Sequence, residues 1–247
     1  MIVSPRISHR ILALFPRRVT MRRSATILAL VFSAAVLSSC DGLGFGPGFG
    51  SAARLSIVYL SPDGPLVDLC VGDEELFTDV GYEDATEYRE VDTGALPVRV
   101  VPAGAGCGAI GAVSGDVDFP SGTDTTIVVL DFHDDLKLLV LDDDNSTPPE
   151  GTARIRFVHA SPDTTVVDLT LSDGTLVFDD FAFTEAAEYL EVDAGTYDFD
   201  VRNAAGTTLF LPVDGVMLED GGVYTFYLIG LLAGAPDLDV IITQDNF

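Results

Sequence analysis

The chain carries one unit of roughly a hundred residues twice. Two segments show the same pattern at an offset of 100 residues, RLSIVYLSPDGPLVDLCV from Arg54 and RIRFVHASPDTTVVDLTL from Arg154. Further matches follow along the chain: EYREVDTG from Glu87 with EYLEVDAG from Glu188, and LLVLDDDN at 138–145 with DVIITQDN at 239–246. A period this long indicates tandem domains rather than a solenoid, because each unit is large enough to close its own core. The sequence predicts repeat 1 over 54–145, a linker over 146–153 and repeat 2 over 154–247.

Apolar residues alternate in short runs within each repeat, as Leu55, Ile57 and Tyr59 do. The runs are rich in Val, Ile, Thr and Tyr and are broken by Gly, Pro and Asp, which is typical of strands and turns. Beyond the first forty residues, no segment sustains the periodicity of a helix. The prediction is an all-β fold of two tandem antiparallel β-sandwiches, immunoglobulin-like in strand number.

The repeated motifs together resemble the bacterial and archaeal family called domain of unknown function 4397. Repeat 2 carries FVHASPD at 157–163, VDL at 167–169 and YLEVDAGTY at 189–197. Repeat 1 departs from this pattern at Tyr59-Leu60, where repeat 2 has His159-Ala160. The resemblance implies exported, often repeated, sandwich-like domains. It implies no activity and no catalytic residues, so no site is carried over.

The first 39 residues have the pattern of an export signal. Six arginines and no acidic residue precede an apolar run of 13 residues, Ala25–Leu37, which is shorter than the ~20 residues of a membrane-spanning helix. A short apolar run behind a basic flank is typical of a signal peptide. Met21, directly before two of the arginines, is an alternative start.

The tetrad Leu37-Ser38-Ser39-Cys40 resembles a bacterial lipobox. It predicts that Cys40 becomes the acylated N-terminus and that the membrane is a partner through its acyl chains. The alternative is an ordinary secretory signal that happens to contain a cysteine. If the lipobox prediction is correct, residues 40–53 comprise the lipidated cysteine and a glycine-rich tether.

The chain is strongly acidic, with 13 basic and 39 acidic residues and a net charge of −26. Removal of 1–39 leaves 7 basic against 39 acidic residues, a net charge of −32. Such a surface excludes nucleic-acid binding, which needs a basic face. It also repels anionic lipid head groups, so attachment to a membrane would depend on the acyl chains.

Cys70 and Cys107 both lie in repeat 1, and neither has a counterpart in repeat 2. Two cysteines that are present in one copy and absent from the other look like a pair, and export would place them where disulfides persist. We therefore predict a disulfide between them. The alternative is a buried free thiol at 70 and an exposed one at 107.

A possible catalytic triad is formed by residues spaced two apart along one strand, His159, Ser161 and Asp163. However, Pro162 breaks the strand at this point. Repeat 1 has Tyr59 in place of the histidine and retains the rest of the motif. We therefore predict turns, with serine and aspartate capping backbone amides. The turn motifs are Ser61, Pro62, Asp63, Ser161, Pro162 and Asp163.

Dense carboxylates at Asp142, Asp143 and Asp144 are weak candidates for a calcium site, since calcium prefers six to eight oxygen ligands. Their spacing does not fit the twelve-residue EF-hand loop. The alternative is a solvated acidic segment before the linker. No other cofactor is predicted.

These features predict an exported cell-envelope lipoprotein, on the periplasmic or the surface face of a membrane, acting as a non-catalytic binding or structural module. Its ligand would be an envelope polymer, a carbohydrate or a protein, engaged by loops. One alternative is a calcium-dependent adhesion unit. Another is a hydrolase built from two carboxylates, which needs no histidine.

Overall fold

A computed structural model describes residues 52–246, and in that range the regular secondary structure is almost entirely β-strand. Repeat 1 forms β1 (Ala53–Tyr59), β2 (Val67–Val71), β3 (Glu74–Val80), β4 (Arg89–Val91), β5 (Gly94–Pro102), β6 (Val113–Phe119), β7 (Asp124–Leu130) and β8 (Lys137–Asp143). Repeat 2 forms β9 (Thr152–His159), β10 (Val167–Leu171), β11 (Leu176–Phe181), β12 (Leu190–Asp193), β13 (Gly195–Asn203), β14 (Leu209–Leu218), β15 (Val223–Ile229) and β16 (Asp239–Gln244). A single turn of 3-10 helix, His133–Asp135, precedes β8.

Each repeat is a sandwich of two four-stranded sheets. The sheet orders are β4-β1-β7-β8 and β3-β2-β5-β6 in repeat 1, and β12-β9-β15-β16 and β11-β10-β13-β14 in repeat 2. The two repeats therefore match strand for strand, which confirms the predicted pair of tandem β-sandwiches.

One strand pair in each sandwich departs from the antiparallel prediction. β1 runs parallel to β7, with Ile57 opposite Ile127, and β9 runs parallel to β15, with Phe157 opposite Phe226. Parallel neighbours need a long crossover instead of a hairpin. Here the whole second sheet lies between the two strands in sequence, so the chain can return in the same direction.

Each sandwich has its own core, and the two cores differ in side-chain size. At four equivalent core positions repeat 1 has Ile57, Phe77, Val98 and Ile127, whereas repeat 2 has Phe157, Phe178, Phe199 and Phe226. In repeat 2 the ring of Phe199 lies edge-on to Phe226 at 5.3 Å between centroids. Repeat 1 therefore has smaller side chains at three of these positions, whereas it has the larger ones at Tyr59 and Phe119, where repeat 2 has His159 and Leu218.

A third apolar cluster joins the two sandwiches. It is formed by the outward faces of the sheets that contain β1 and β9, and its buried members are Val58, Leu60, Val128, Leu130, Leu141, Val158, Ala160, Tyr227, Ile229 and Ile241. Interfaces that are buried and apolar resist relative motion of domains. The repeats are thus two halves of one compact body.

In the structure, the segment between the two repeats runs from the end of β8 at Asp143 to the start of β9 at Thr152. The predictions that fall on 1–39, Met21 and Cys40, and nearly all of the predicted tether, lie outside the described residues. Among residues 52–246, no helix is long and apolar enough to cross a membrane.

Candidate functional site

The SPD segments form turns whose side chains make hydrogen bonds with backbone groups that are distant in sequence. Asp163 accepts hydrogen bonds from the amides of Leu232 at 2.6 Å and Ala233 at 3.0 Å, and Ser161 donates to the carbonyl of Gly230 at 2.7 Å. In repeat 1, Asp63 accepts from the amide of His133 at 2.7 Å. Each motif therefore ties the turn after the first strand of its repeat to the loop after the seventh, a structural role.

His159 does not act on Ser161. Its ring is fully buried, with Nε2 3.2 Å from the carbonyl oxygen of Thr165 and its edge against Phe183. Burial lowers the pKa of His159 and favours the neutral ring. Since the hydroxyl of Ser161 bonds to Thr164 and Gly230 instead, the three residues do not form a catalytic triad.

The acidic segment Asp142–Asp144 does not converge on a common point. Asp143 is buried and pairs with Arg156 at 2.6 Å, whereas Asp144 accepts from Ser146 and from Arg154 at 2.6 Å. Successive side chains of a strand point to opposite faces, which separates these carboxylates. In the range 52–246 no group of three or more His, Cys, Asp or Glu side chains could hold a metal ion.

The buried Asp143 belongs to a polar cluster between the sandwiches that has nearly two-fold symmetry. In repeat 1, its Oδ2 accepts hydrogen bonds from Tyr88 and Thr126, each at 2.7 Å. In repeat 2, Asp245 accepts in the same way from Tyr189 at 3.0 Å and Thr225 at 2.6 Å. The β7–β8 and β15–β16 registers place the two aspartates at equivalent positions.

One arginine breaks this symmetry. Arg156 lies between the two aspartates, with Nη2 at 2.6 Å from Asp143 and 3.8 Å from Asp245, and its guanidinium stacks 4.5 Å from the ring centroid of Tyr189. The equivalent residue of repeat 1 is Ser56. The side chains of Arg156, Asp143 and Asp245 are 4 %, 0 % and 7 % exposed, so the cluster is out of reach of any substrate and holds the interface together.

Burial governs the protonation of the two aspartates. It raises the pKa of Asp143, against the opposing effect of Arg156. It raises the pKa of Asp245 to about 6, again opposed by Arg156. Because a buried carboxylate is costly without a partner, the single guanidinium is central to the energy of this interface.

Cys70 and Cys107 are joined by a disulfide in the structure, with Cα atoms 5.7 Å apart. Cys70 lies in β2 and is fully buried, and Cys107 lies in the loop that connects β5 to β6. The bond holds this loop, which carries the 95 % exposed Ile110, against repeat 1. Repeat 2 has Thr170 at the position of Cys70 and lacks the bond.

An apolar groove of about 510 Å³ opens along one side of repeat 1. Its walls are β6 and β8, the edge strands of the two sheets. The apolar lining consists of Val113, Val117, Leu130, Leu136, Leu138, Leu139 and Val140. Val140 is 41 % exposed, so the groove presents unpaired apolar surface to solvent.

Repeat 2 explains why the groove exists. Gly115 lies opposite Val98 on β5, and the equivalent residue opposite Phe199 on β13 is Val213, which is buried in the core of repeat 2. A Cβ added at Gly115 would lie 3.9 Å from Leu138, so the glycine leaves room that a valine would fill. The space left at Gly115 in repeat 1 is therefore taken by the side chain of Val213 at the equivalent position of repeat 2.

The sequence reasoning missed both the Arg156 cluster and the groove. A charged residue among apolar neighbours in β9 was the available signal for the first. The substitution of glycine for valine between the repeats was the signal for the second.

The fold and these sites together define a tandem β-sandwich protein with a buried interface and one open apolar groove. The chain belongs to the family described as Domain of unknown function (DUF4397), which matches residues 53–170 and 167–246. No curated protein matches the chain.

Several solved structures are similar over parts of the chain. They include the C-terminal domain of AlgF from P. aeruginosa (17 % identity, 39 % of this chain and 99 % of that one, TM-score 0.29). Two others are CBMbc (family CBM26) from Eubacterium rectale Amy13K in complex with maltoheptaose (11 %, 76 % and 95 %, 0.25) and a putative cell adhesion protein from Bacteroides eggerthii (11 %, 80 % and 97 %, 0.23). At these identities and TM-scores, the ligands of those proteins are not transferred to this chain.

Proposed function

We propose that this protein is a non-catalytic binding module of the cell envelope, which binds its partner in the groove of repeat 1. The groove carries the proposal because it combines exposed apolar surface with space at Gly115 that Val213 fills in repeat 2. Binding sites are typically concave and mostly apolar with a few polar groups. Here the polar groups at the rim are Ser114, Asp116 and Lys137.

The groups that suggested catalysis support a non-catalytic role. His159 and Ser161 are fully buried and hydrogen-bonded within repeat 2. Asp143 and Asp245, a carboxylate pair of the kind a hydrolase would need, are enclosed between the sandwiches with Arg156. None of these side chains faces the groove.

Repeat 2 acts in this proposal as the support that holds the groove in shape. Thr184 of repeat 2 reaches the groove wall. Close by, Lys137 of repeat 1 pairs with Asp131 at 2.5 Å and lies 5.0 Å from the ring centroid of Phe183. A rigid support lowers the entropy that a binding site loses when it is occupied.

We further propose that acyl chains on Cys40 hold the module at a membrane, on its periplasmic or surface face. The supporting observation is the lipobox-like tetrad that ends at Cys40, behind a basic flank and a short apolar run. The strongly acidic body disfavours direct contact with anionic lipid, which would leave the groove accessible.

Binding of the neutral dye Nile red tests whether the groove is a usable site. The exported chain with Cys40→Ala is the reference protein, so that no acyl chain competes for the dye. We expect saturable fluorescence enhancement that falls at least tenfold in Gly115→Val, because valine fills the groove as Val213 does in repeat 2. The control is Gly195→Val, a strand glycine whose added Cβ meets only an ordinary contact with Tyr197 at 3.7 Å. Equal dye binding by both variants would contradict the proposal.

A further inference from the structure

We infer that the partner of the groove is an extended cationic peptide segment that pairs with β6 as an added strand. The inference rests on the proposed function of the groove and names the chemistry of its occupant. It follows from the position of β6 in its sheet, from the alternation of its side chains and from the charge of the body.

Beyond its pairing with β5, β6 has no hydrogen-bonded strand among the described residues, and β8 approaches it across the groove. β6 is the last strand of the order β3-β2-β5-β6, and β8 is the last strand of the facing sheet. An edge strand of seven residues presents unpaired backbone N–H and C=O groups, which an extended peptide can use. Backbone pairing would supply affinity, and the groove would supply selectivity for side chains.

The side chains of β6 alternate in burial. Val117 is buried and lines the groove beside Gly115, whereas Asp118 is exposed and Asp116 is exposed at the groove rim. An added strand alternates in the same way. Its inward side chains would therefore meet apolar groove wall, including Val140, and its outward side chains would lie beside the two aspartates.

This arrangement favours a basic residue at every second position of the partner. Cross-strand pairs of opposite charge stabilise a sheet, and like charges directly opposite destabilise it. For the same reason a second copy of β6 is a poor partner, because it would bring further aspartates against Asp116 and Asp118. The partner predicted by the strand is thus an alternation of basic and apolar residues.

The charge of the whole body acts in the same direction. Residues 52–246 contain 7 basic and 38 acidic side chains, and six of the basic ones already take part in ion pairs. An acidic surface of this kind attracts cationic segments and accelerates their association at low salt. A carbohydrate fits less well, because the groove lining contains no aromatic side chain on which a sugar ring could stack.

A fluorescently labelled peptide of seven alternating lysine and valine residues is the probe. Its binding is measured by fluorescence anisotropy on the exported chain with Cys40→Ala, beside a matched peptide of alternating glutamate and valine. We expect saturable binding of the lysine peptide, binding at least tenfold weaker for the glutamate peptide, and a loss of at least tenfold with Gly115→Val but not with Gly195→Val. N-methylation of alternate backbone amides of the lysine peptide should weaken binding by a similar factor.

A second variant separates charge from the apolar groove. Asp118→Asn, outside the groove lining, should weaken the lysine peptide several-fold and reduce the salt dependence of its binding, while Nile red binding is unchanged. Peptide binding that survives Gly115→Val, or that is insensitive to N-methylation, would show non-specific attraction to the acidic body and overturn the inference. If the dye binds and the peptide does not, the inference fails and the proposed function stands. If neither binds, both fail.

Discussion

The substitution Arg156→Ser tests the energetic role of the interface cluster, and serine is the residue that repeat 1 has at the equivalent position, Ser56. The change removes the guanidinium from between two carboxylates whose side chains are 0 % and 7 % exposed. It also removes hydrogen bonds to Asp143 at 2.6 Å, to Thr225 at 3.0 Å and to the carbonyl of Asp142 at 3.1 Å.

The expected cost follows from the charges left behind. Removal of one partner from a buried ion pair typically costs about 3–5 kcal/mol, because the remaining charge is desolvated without compensation. Two carboxylates remain here, so we expect about 4–5 kcal/mol at pH 8. For a body of this size, that corresponds to a decrease in Tm of roughly 10–15 °C. At pH 5 the cost should be smaller, because Asp245, with its pKa of about 6, is then largely protonated and neutral.

Urea denaturation at pH 8 and pH 5, followed by circular dichroism, measures these free energies of unfolding. Arg54→Ser is the matched control, because Arg54 pairs with Asp124 at the surface with half of its side chain exposed, and exposed ion pairs contribute at most about 1 kcal/mol. The reasoning is refuted if Arg156→Ser loses no more than Arg54→Ser at pH 8, or if its loss is the same at both pH values.

Three further predictions concern lipidation, the disulfide and pH. Labelling with a palmitate analogue should be present in the native protein and absent in Cys40→Ala; unchanged labelling would rule out the lipobox. Non-reduced, denatured protein should show no reactive thiol at 70 or 107, and Cys70→Ser with Cys107→Ser should cost roughly 4 kcal/mol for the 37-residue separation; two reactive thiols would contradict the bond. Because the pKa of Asp245 is raised above its ordinary value, its protonated form is favoured by folding, and the free energy of unfolding should fall by about 2 kcal/mol between pH 4 and pH 6 relative to Asp245→Asn; parallel pH profiles for the two proteins would refute this.

The strands and their grouping into two repeats were predictable because they depend on local pattern and on matched segments. Alternation at Leu55, Ile57 and Tyr59 is visible in the sequence, and so is the copy from Arg154 onward. The parallel pairing of β1 with β7 was not predictable, because alternation of side chains is the same in parallel and antiparallel strands. Only the path of the chain between them distinguishes the two arrangements.

The sites were less predictable, because they depend on which residues meet across long distances in sequence. The sequence shows three adjacent aspartates but not that Asp143 is the one enclosed between the sandwiches, where it pairs with Arg156. The partners of Asp143 lie 17 and 55 residues before it, and 13 residues after it. The groove depends on the absence of a side chain at Gly115. A single glycine in a strand does not predict a groove, and its effect is evident only from the structure, where the equivalent Val213 is buried in the core of repeat 2.

The two sides of the interface carry different side chains, and this has a consequence for which repeats can pair when copies of this chain lie close together. Two first repeats brought together from different molecules would enclose two Asp143 carboxylates with no Arg156 guanidinium between them. Two second repeats would place two Arg156 guanidinium groups where the native interface holds one. Each first repeat is therefore matched to a second repeat, and the nearest second repeat is the one on the same chain. The asymmetry acts as a built-in barrier to domain exchange between neighbouring molecules.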